Sequence, residues 1–173
     1  MTSKEKDEIL ERIKTMYEEE KIECKIEAED NPELGIVKTL YTYHTFLGPE
    51  ENESAFGELA FVPLDGEEEG SMQIFVINFV FDAEIPEDKV ERLTDVLCEV
   101  NYVMPGCFLL LTPGKDRLAL RVSAFIPDEF NVERAYNVID CALGNVEMVM
   151  ENIISQFCKY IKGEAEDIYF NME

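Results

Sequence analysis

The chain has 173 residues, of which 46% are hydrophobic and 31% charged, which places it among globular proteins and outside the disordered, fibrous and membrane-spanning classes. Its 15 basic and 38 acidic side chains give a net charge of −23, which argues against binding nucleic acid or anionic lipid, since both depend on Lys and Arg to neutralise phosphate. A chain of this length buries enough surface to fold without a cofactor. We therefore expect no cofactor, no nucleic acid and no membrane among its partners.

The N-terminal residues and the cysteines both favour a cytoplasmic location. The chain begins with polar residues that lead into an amphipathic segment, unlike the apolar core of an export signal. The five cysteines are odd in number and contain no CxxC pair, so we interpret them as free thiols rather than as disulfide partners or zinc ligands.

A helix and four strands are predicted in the first half of the chain. Thr2 and Glu5 have the spacing of a capping box, and an apolar stripe follows them, which predicts a helix over residues 2–20. Residues 21–29 alternate apolar with charged side chains, as in a strand with one face in the core and the other in water. Three more runs, rich in β-branched and aromatic residues, are separated by turn-forming or acidic segments. These runs predict strands over residues 36–47, 56–64 and 72–82.

A second helix and a hairpin are predicted next. Pro86 suits a first helical turn, and apolar residues continue at helical spacing until Pro105 and Gly106 end the helix. Two short apolar runs, residues 107–111 and 118–125, flank a turn segment and predict a hairpin.

The chain is predicted to end with a long helix and a tail. Apolar residues recur at helical spacing over residues 135–161, and Gly144 is the expected site of a bend because glycine weakens a helix. The acidic residues 163–173 predict a frayed tail. No repeat or linker divides the remainder, so residues 1–162 predict one domain.

The predicted elements follow the order α-β-β-β-β-α-β-β-α. The connections between consecutive strands are too short for parallel crossovers. We therefore predict an α+β fold with a mainly antiparallel sheet of about six strands and helices packed on one face.

The sequence offers little catalytic chemistry. His44 is the single histidine, which excludes metal sites built on two histidines. The chain contains no phosphate-binding loop, no dinucleotide fingerprint and no nucleophile elbow. Acidic residues are abundant, but their spacing matches no calcium loop. A small hydrolase-like enzyme that combines distant carboxylates with His44 stays open as the alternative function.

The fourth predicted strand is apolar on both of its faces. Ile74, Val76 and Val80 share one face, and the residues between them, including Phe75 and Phe79, share the other. An antiparallel sheet with helices on one side leaves its other face in water, so a strand of this kind requires a second cover. That cover is the protein's own last helix, a second subunit or a client protein.

The second half of the chain resembles the YbjN family, whose fold is similar to that of type III secretion chaperones. The resemblance lies in an amphipathic helix that ends at Asn101, the run Met104-Pro105-Gly106, the hairpin over residues 107–125 and a last helix that contains Val132-Glu133-Arg134-Ala135. It covers residues 86–161, whereas the earlier elements agree in order only. The resemblance implies a small, acidic binding protein, commonly a dimer, that holds extended clients without ATP and without catalytic residues.

We therefore predict a non-enzymatic cytoplasmic protein-binding module. It binds a protein or an extended peptide client through apolar strand surface, at an exposed strand edge or an apolar patch, and forms a homodimer. The acidic exterior favours a basic client segment. The predicted partner-binding residues are Tyr41, Tyr43, Phe75, Ile77 and Phe79.

Overall fold

The computed structural model describes residues 1–31, 35–46, 53–62, 72–104 and 106–168. Its helices are α1 (Ser3–Glu19), α2 (Val90–Val103), α3 (Val132–Val149) and α4 (Ser155–Lys162). A short 3₁₀ turn, Glu87–Lys89, precedes α2, and a π-helical segment, Met150–Ile154, joins α3 to α4. The strands are β1 (Glu23–Asn31), β2 (Gly35–Phe46), β3 (Glu53–Val62), β4 (Gln73–Phe81), β5 (Cys107–Leu111) and β6 (Leu118–Ile126).

The six strands form one antiparallel sheet in the order β1-β2-β3-β4-β6-β5. The first four strands are joined as hairpin neighbours, whereas β4 pairs with β6 because the chain leaves the sheet through α2 before it returns. The predicted α+β class and element order are confirmed, and α3, the π-helical segment and α4 together make up the predicted last helix.

The helices cover one face of this sheet, which we call the covered face. α1 packs on β1 and β2, α3 packs on β6, and α2 packs against β5. β4 shows the consequence, because its alternate residues from Gln73 to Phe81 are buried while the residues between them are only half-buried. The core therefore lies between the covered face and the helices.

Helix ends follow the local signals in the sequence. The Thr2 hydroxyl accepts from the backbone N–H of Glu5, and the Glu5 carboxylate accepts from the backbone N–H of Thr2 at 2.7 Å, so the predicted capping box is present. Asn131 caps α3 by accepting from the N–H of Arg134 at 3.0 Å. These caps fix where α1 and α3 meet the sheet.

The irregularity in the last helix lies beyond the predicted position. Gly144 sits inside regular α3, and the π-helical segment begins six residues later at Met150. The packing of Met150 and Ile154, both buried in the core, accompanies this wider turn. The prediction of a bend at Gly144 is therefore wrong, since the helix is regular there.

Replacing Gly144 by alanine should stabilise the protein. A Cβ atom built at this exposed helical position meets no atom within 4 Å, so the methyl group adds helix propensity without a clash. We expect the free energy of unfolding to rise by about 0.5–1 kcal/mol and the melting temperature by about 1–4 °C, as measured by thermal unfolding. An unchanged or lower melting temperature would contradict this prediction.

The prediction of a frayed tail does not hold for residues 163–168. Arg92 of α2 donates two hydrogen bonds to the Asp167 carboxylate, at 2.9 and 3.1 Å. Ile168 is buried in the same core as the helices. A bidentate pair and an apolar anchor thus hold this segment against α2, while residues 169–173 of the predicted tail lie outside the described residues.

Candidate functional site

The sheet face opposite the helices, which we call the open face, has no helix packed on it in the described part of the chain. The strand register arranges its side chains in rows that run across the sheet. One row reads Lys25, Tyr41, Glu58, Asn78, Arg121 and Phe108 from β1 to β5. The adjacent row reads Glu23, Tyr43, Phe56, Val80, Ala119 and Leu110.

Large apolar side chains are exposed across this face. Six of them are between 36% and 57% exposed, and they come from β2, β3, β5 and β6. Half-buried Ile74, Val76 and Val80 of β4 lie between them, on the two sides of the row that holds Glu58, Asn78 and Arg121. Contiguous apolar patches of this kind mark interaction surfaces, whereas single exposed apolar residues do not. The six residues are Tyr43, Phe56, Val62, Phe108, Leu110 and Phe125.

Two ion pairs of the described residues lie on the open face. Lys25 meets Glu27 at 2.7 Å, and Arg117 meets Asp82 at 3.4 Å. Arg121 is exposed and forms no ion pair with any residue that the structure describes. The middle of this face is therefore much less acidic than the protein as a whole.

Tyr41 and Tyr43 line a shallow hollow of about 340 Å³ at the β1 side of the open face. The ring of Tyr41 stacks on Phe56 with centroids 5.5 Å apart, and the Tyr43 hydroxyl donates to Asp82 at 3.1 Å. Burial, together with the nearby Glu29, raises the pKa of Tyr41. The structure thus places both predicted tyrosines on the open face.

The other three predicted partner-binding residues lie in the core. Phe75, Ile77 and Phe79 are fully buried under the helices. Because side chains alternate along a strand, the β4 residues on the open face are Ile74, Val76, Asn78 and Val80 instead. The large aromatic side chains of β4 fill the wide space beneath the helices, so this part of the site prediction is wrong.

Five of the six exposed apolar residues of the open face were not predicted, namely Phe56, Val62, Phe108, Leu110 and Phe125. The sequence did contain a signal for two of them. Arg121 must point to water, so its period-two neighbours, including Phe125, share a face with it. Once β5 and β6 are taken as a hairpin, Phe108 opposite Arg121 joins the same face.

The two edges of the sheet are poorly suited to strand addition. The Asn101 side chain accepts from the Leu109 backbone N–H at 2.8 Å and donates to the Leu109 carbonyl at 2.7 Å. It therefore occupies the outward-facing backbone groups in the middle of β5. At the other edge, β1 carries Glu23, Lys25 and Glu27 at alternate positions, which discourages pairing with another strand. The face is better suited to binding than the edges.

His44 lies on the covered face and has aromatic neighbours. Its ring contacts Tyr17 and Phe79 edge-to-face, with centroids 5.0 and 4.9 Å away. Its Nε2 atom is buried and has no hydrogen-bond partner among the described residues. Burial lowers the pKa of His44 to about 4, so the ring is neutral at pH 7. The contacts of the His44 ring to Tyr17 and Phe79 are packing contacts. The hydrolase-like alternative requires carboxylates beside this ring.

A second concave region lies between the start of α2 and the turn that joins β5 to β6. Its volume is about 670 Å³, and its lining includes Glu91, Asp95, Lys115 and Asp116. Asp116 accepts a hydrogen bond from the Thr112 hydroxyl at 2.7 Å, which orders the turn itself. Within the described ranges, no three His, Cys, Asp or Glu side chains are grouped so that they could hold a metal ion.

Comparisons with protein-family models, with curated proteins and with solved structures found no match to this chain. Within the described residues, none of the helices has the length and apolar character needed to cross a membrane.

Proposed function

We propose that this protein is a non-enzymatic protein-binding module that holds its partner against the open face. The observation that carries the proposal is the exposed apolar surface on the helix-free side of the sheet, with Phe56, Phe108 and Phe125 projecting from three different strands. Burying such side chains against a partner contributes roughly 25 cal/mol for each Å² of apolar surface removed from water. The proposed mode of action is similar to that of type III secretion chaperones, which hold their clients by contact.

Two further observations support a cytoplasmic protein that acts in this way. All five cysteines are free thiols, and Cys98 and Cys141 are exposed, as is usual in a reducing compartment. The strongly acidic surface outside the open face keeps a protein with an exposed apolar patch in solution. Both features suit a protein that presents apolar surface to other proteins inside the cell.

The proposal predicts contact-dependent cross-linking. A benzophenone amino acid that replaces Phe125 on the open face should cross-link to protein in an extract of the native cell, because the partner covers this position. The same amino acid at Tyr102, which is 91% exposed at the end of α2, is the matched control and should give little product. A second substitution, Phe108→Asp, should reduce the product at position 125 at least fivefold, since it places a charge within the same apolar patch.

Gel analysis and mass spectrometry of the cross-linked products provide the measurement. Equal products at positions 125 and 102, or a product at 125 that Phe108→Asp leaves unchanged, would overturn the proposed function. The identity of the cross-linked protein also separates self-association from binding of another protein.

A further inference from the structure

The centre of the open face carries two opposite charges at equivalent distances from β4. Glu58 of β3 and Arg121 of β6 both lie opposite Asn78, one on each neighbouring strand. Strands are about 4.8 Å apart, so the two residues lie about 10 Å apart with Asn78 midway between them. Glu58 accepts only a long hydrogen bond from Asn78, at 3.5 Å, and Arg121 has no ion-pair partner in the described part of the chain. This arrangement is self-complementary.

We propose that the open face binds the open face of a second copy of this chain, around a two-fold axis that lies between the two sheets and runs along β4 at Asn78. The inference rests on the proposed function and names its partner. Rotation about this axis exchanges the two sides of β4, so Glu58 of each copy faces Arg121 of the other. The interface then gains two equivalent ion pairs, as an isologous contact requires.

The apolar residues are complementary under the same rotation. β3 of one copy lies over β6 of the other, and β2 lies over β5. Phe56 then faces Ala119, and Tyr41 faces Phe108, so large residues meet small or aromatic ones. Interdigitation of this kind fills the space of about 10 Å between two packed sheets.

Charge excludes the neighbouring axes. A two-fold axis along β3 places Glu58 against Glu58, and one along β6 places Arg121 against Arg121. A two-fold axis that lies between the sheets, passes over Asn78 and runs perpendicular to the strands also places Glu58 against Glu58 and Arg121 against Arg121. Like charges brought together in an interface oppose association, so the β4 axis is the favoured one.

The size and charge of the overlap suit a stable dimer. Across the strands, the overlap includes five strands and is about 24 Å wide. Along the strands, it includes about eight residues and is about 27 Å long, so each copy contributes roughly 650 Å² of flat area. The total of about 1,300 Å² exceeds the 1,000 Å² or so expected of a specific interface. β1 lies outside the overlap, so the exposed Glu23, Glu27 and Glu29 remain in solvent.

Charge reversal tests the proposed register. Glu58→Arg and Arg121→Glu should each raise the dimer dissociation constant at least tenfold, because each places two like-charged pairs in the interface. The double variant Glu58→Arg/Arg121→Glu restores opposite charges and should return the constant to within about threefold of the original. Glu11→Arg, an equal charge change on an exposed position of α1, is the matched control and should have no effect.

The dissociation constants are measured by sedimentation equilibrium of the full chain, and circular dichroism verifies that each variant is folded. Rising salt should tighten the dimer because it screens the repulsion between two copies of charge −23, whereas a complex with a basic protein would weaken. A monomeric wild-type chain, a dimer that ignores both single reversals, or a double variant without rescue overturns the inference. In each of these cases, the proposed function is still supported if position 125 cross-links to another protein and Phe108→Asp reduces that product. If this cross-link is also absent, both the dimer and the proposed function are rejected.

Discussion

Replacing Gly57 by alanine is expected to lower the free energy of unfolding by about 2–3 kcal/mol, one of the largest effects of a single added methyl group in this protein. Gly57 lies on the covered face of β3 opposite Phe79 of β4. A Cβ atom at this position would lie 2.5 Å from the Phe79 ring, well inside van der Waals contact. The ring is held in turn against His44, so it has little room to move aside. The glycine is required by this close approach of the ring rather than by its backbone angles.

A double-mutant cycle tests this explanation. In a Phe79→Leu background the ring is gone, so adding Gly57→Ala should cost at least 1 kcal/mol less than it does in the wild type. Chemical denaturation of the four proteins provides the free energies. The Gly144→Ala variant is the control, because the same methyl group there meets open space. Equal costs of Gly57→Ala in the two backgrounds would show that the Phe79 ring is not the cause.

Acid is expected to destabilise the fold through His44. The folded protein holds this imidazole neutral with its pKa lowered to about 4, whereas the unfolded chain takes up the proton near the ordinary value of 6.5. The stabilisation of the folded state that comes from the neutral His44 is therefore fully present above about pH 6.5 and is lost as the pH falls towards 4. A shift of this size corresponds to about 3 kcal/mol.

The measurement compares the wild type with His44→Phe over the range from pH 7 to pH 4. Carboxylates protonate in both proteins, so the difference between the two curves isolates the histidine. That difference should change by about 3 kcal/mol in favour of the variant as the pH falls. Because His44 is the single histidine, its NMR titration is also unambiguous, and a midpoint near 6.5 or two parallel stability curves would contradict the prediction.

Sequence periodicity predicted the elements well because each element has one buried side. The Thr2 capping box and the alternation in β1 are local signals, and both appear in the structure. The pairing of β4 with β6 depends on contacts between segments about 45 residues apart, which no local pattern specifies. The π-helical segment of the last helix begins at Met150, whereas the local pattern predicts the irregularity at Gly144.

The candidate site was predicted only in part, for a related reason. A strand that is apolar on both sides, such as β4, gives no indication of which side the helices cover. The pattern therefore predicts Phe75 and Phe79 on the binding surface although the structure buries them, whereas it places Tyr41 and Tyr43 on the open face. The orientation of β4 follows from its neighbours, because Glu58 and Arg121 on the flanking strands must both point to water.

The amide of Asn101 has a consequence for how far association can proceed. With the N–H and the carbonyl of Leu109 already bonded to Asn101, the middle of β5 has no free backbone groups on which another strand could be added. In the dimer proposed above, each open face covers the other, and this blocked position at the rim of the sheet would favour a closed pair over a growing fibril.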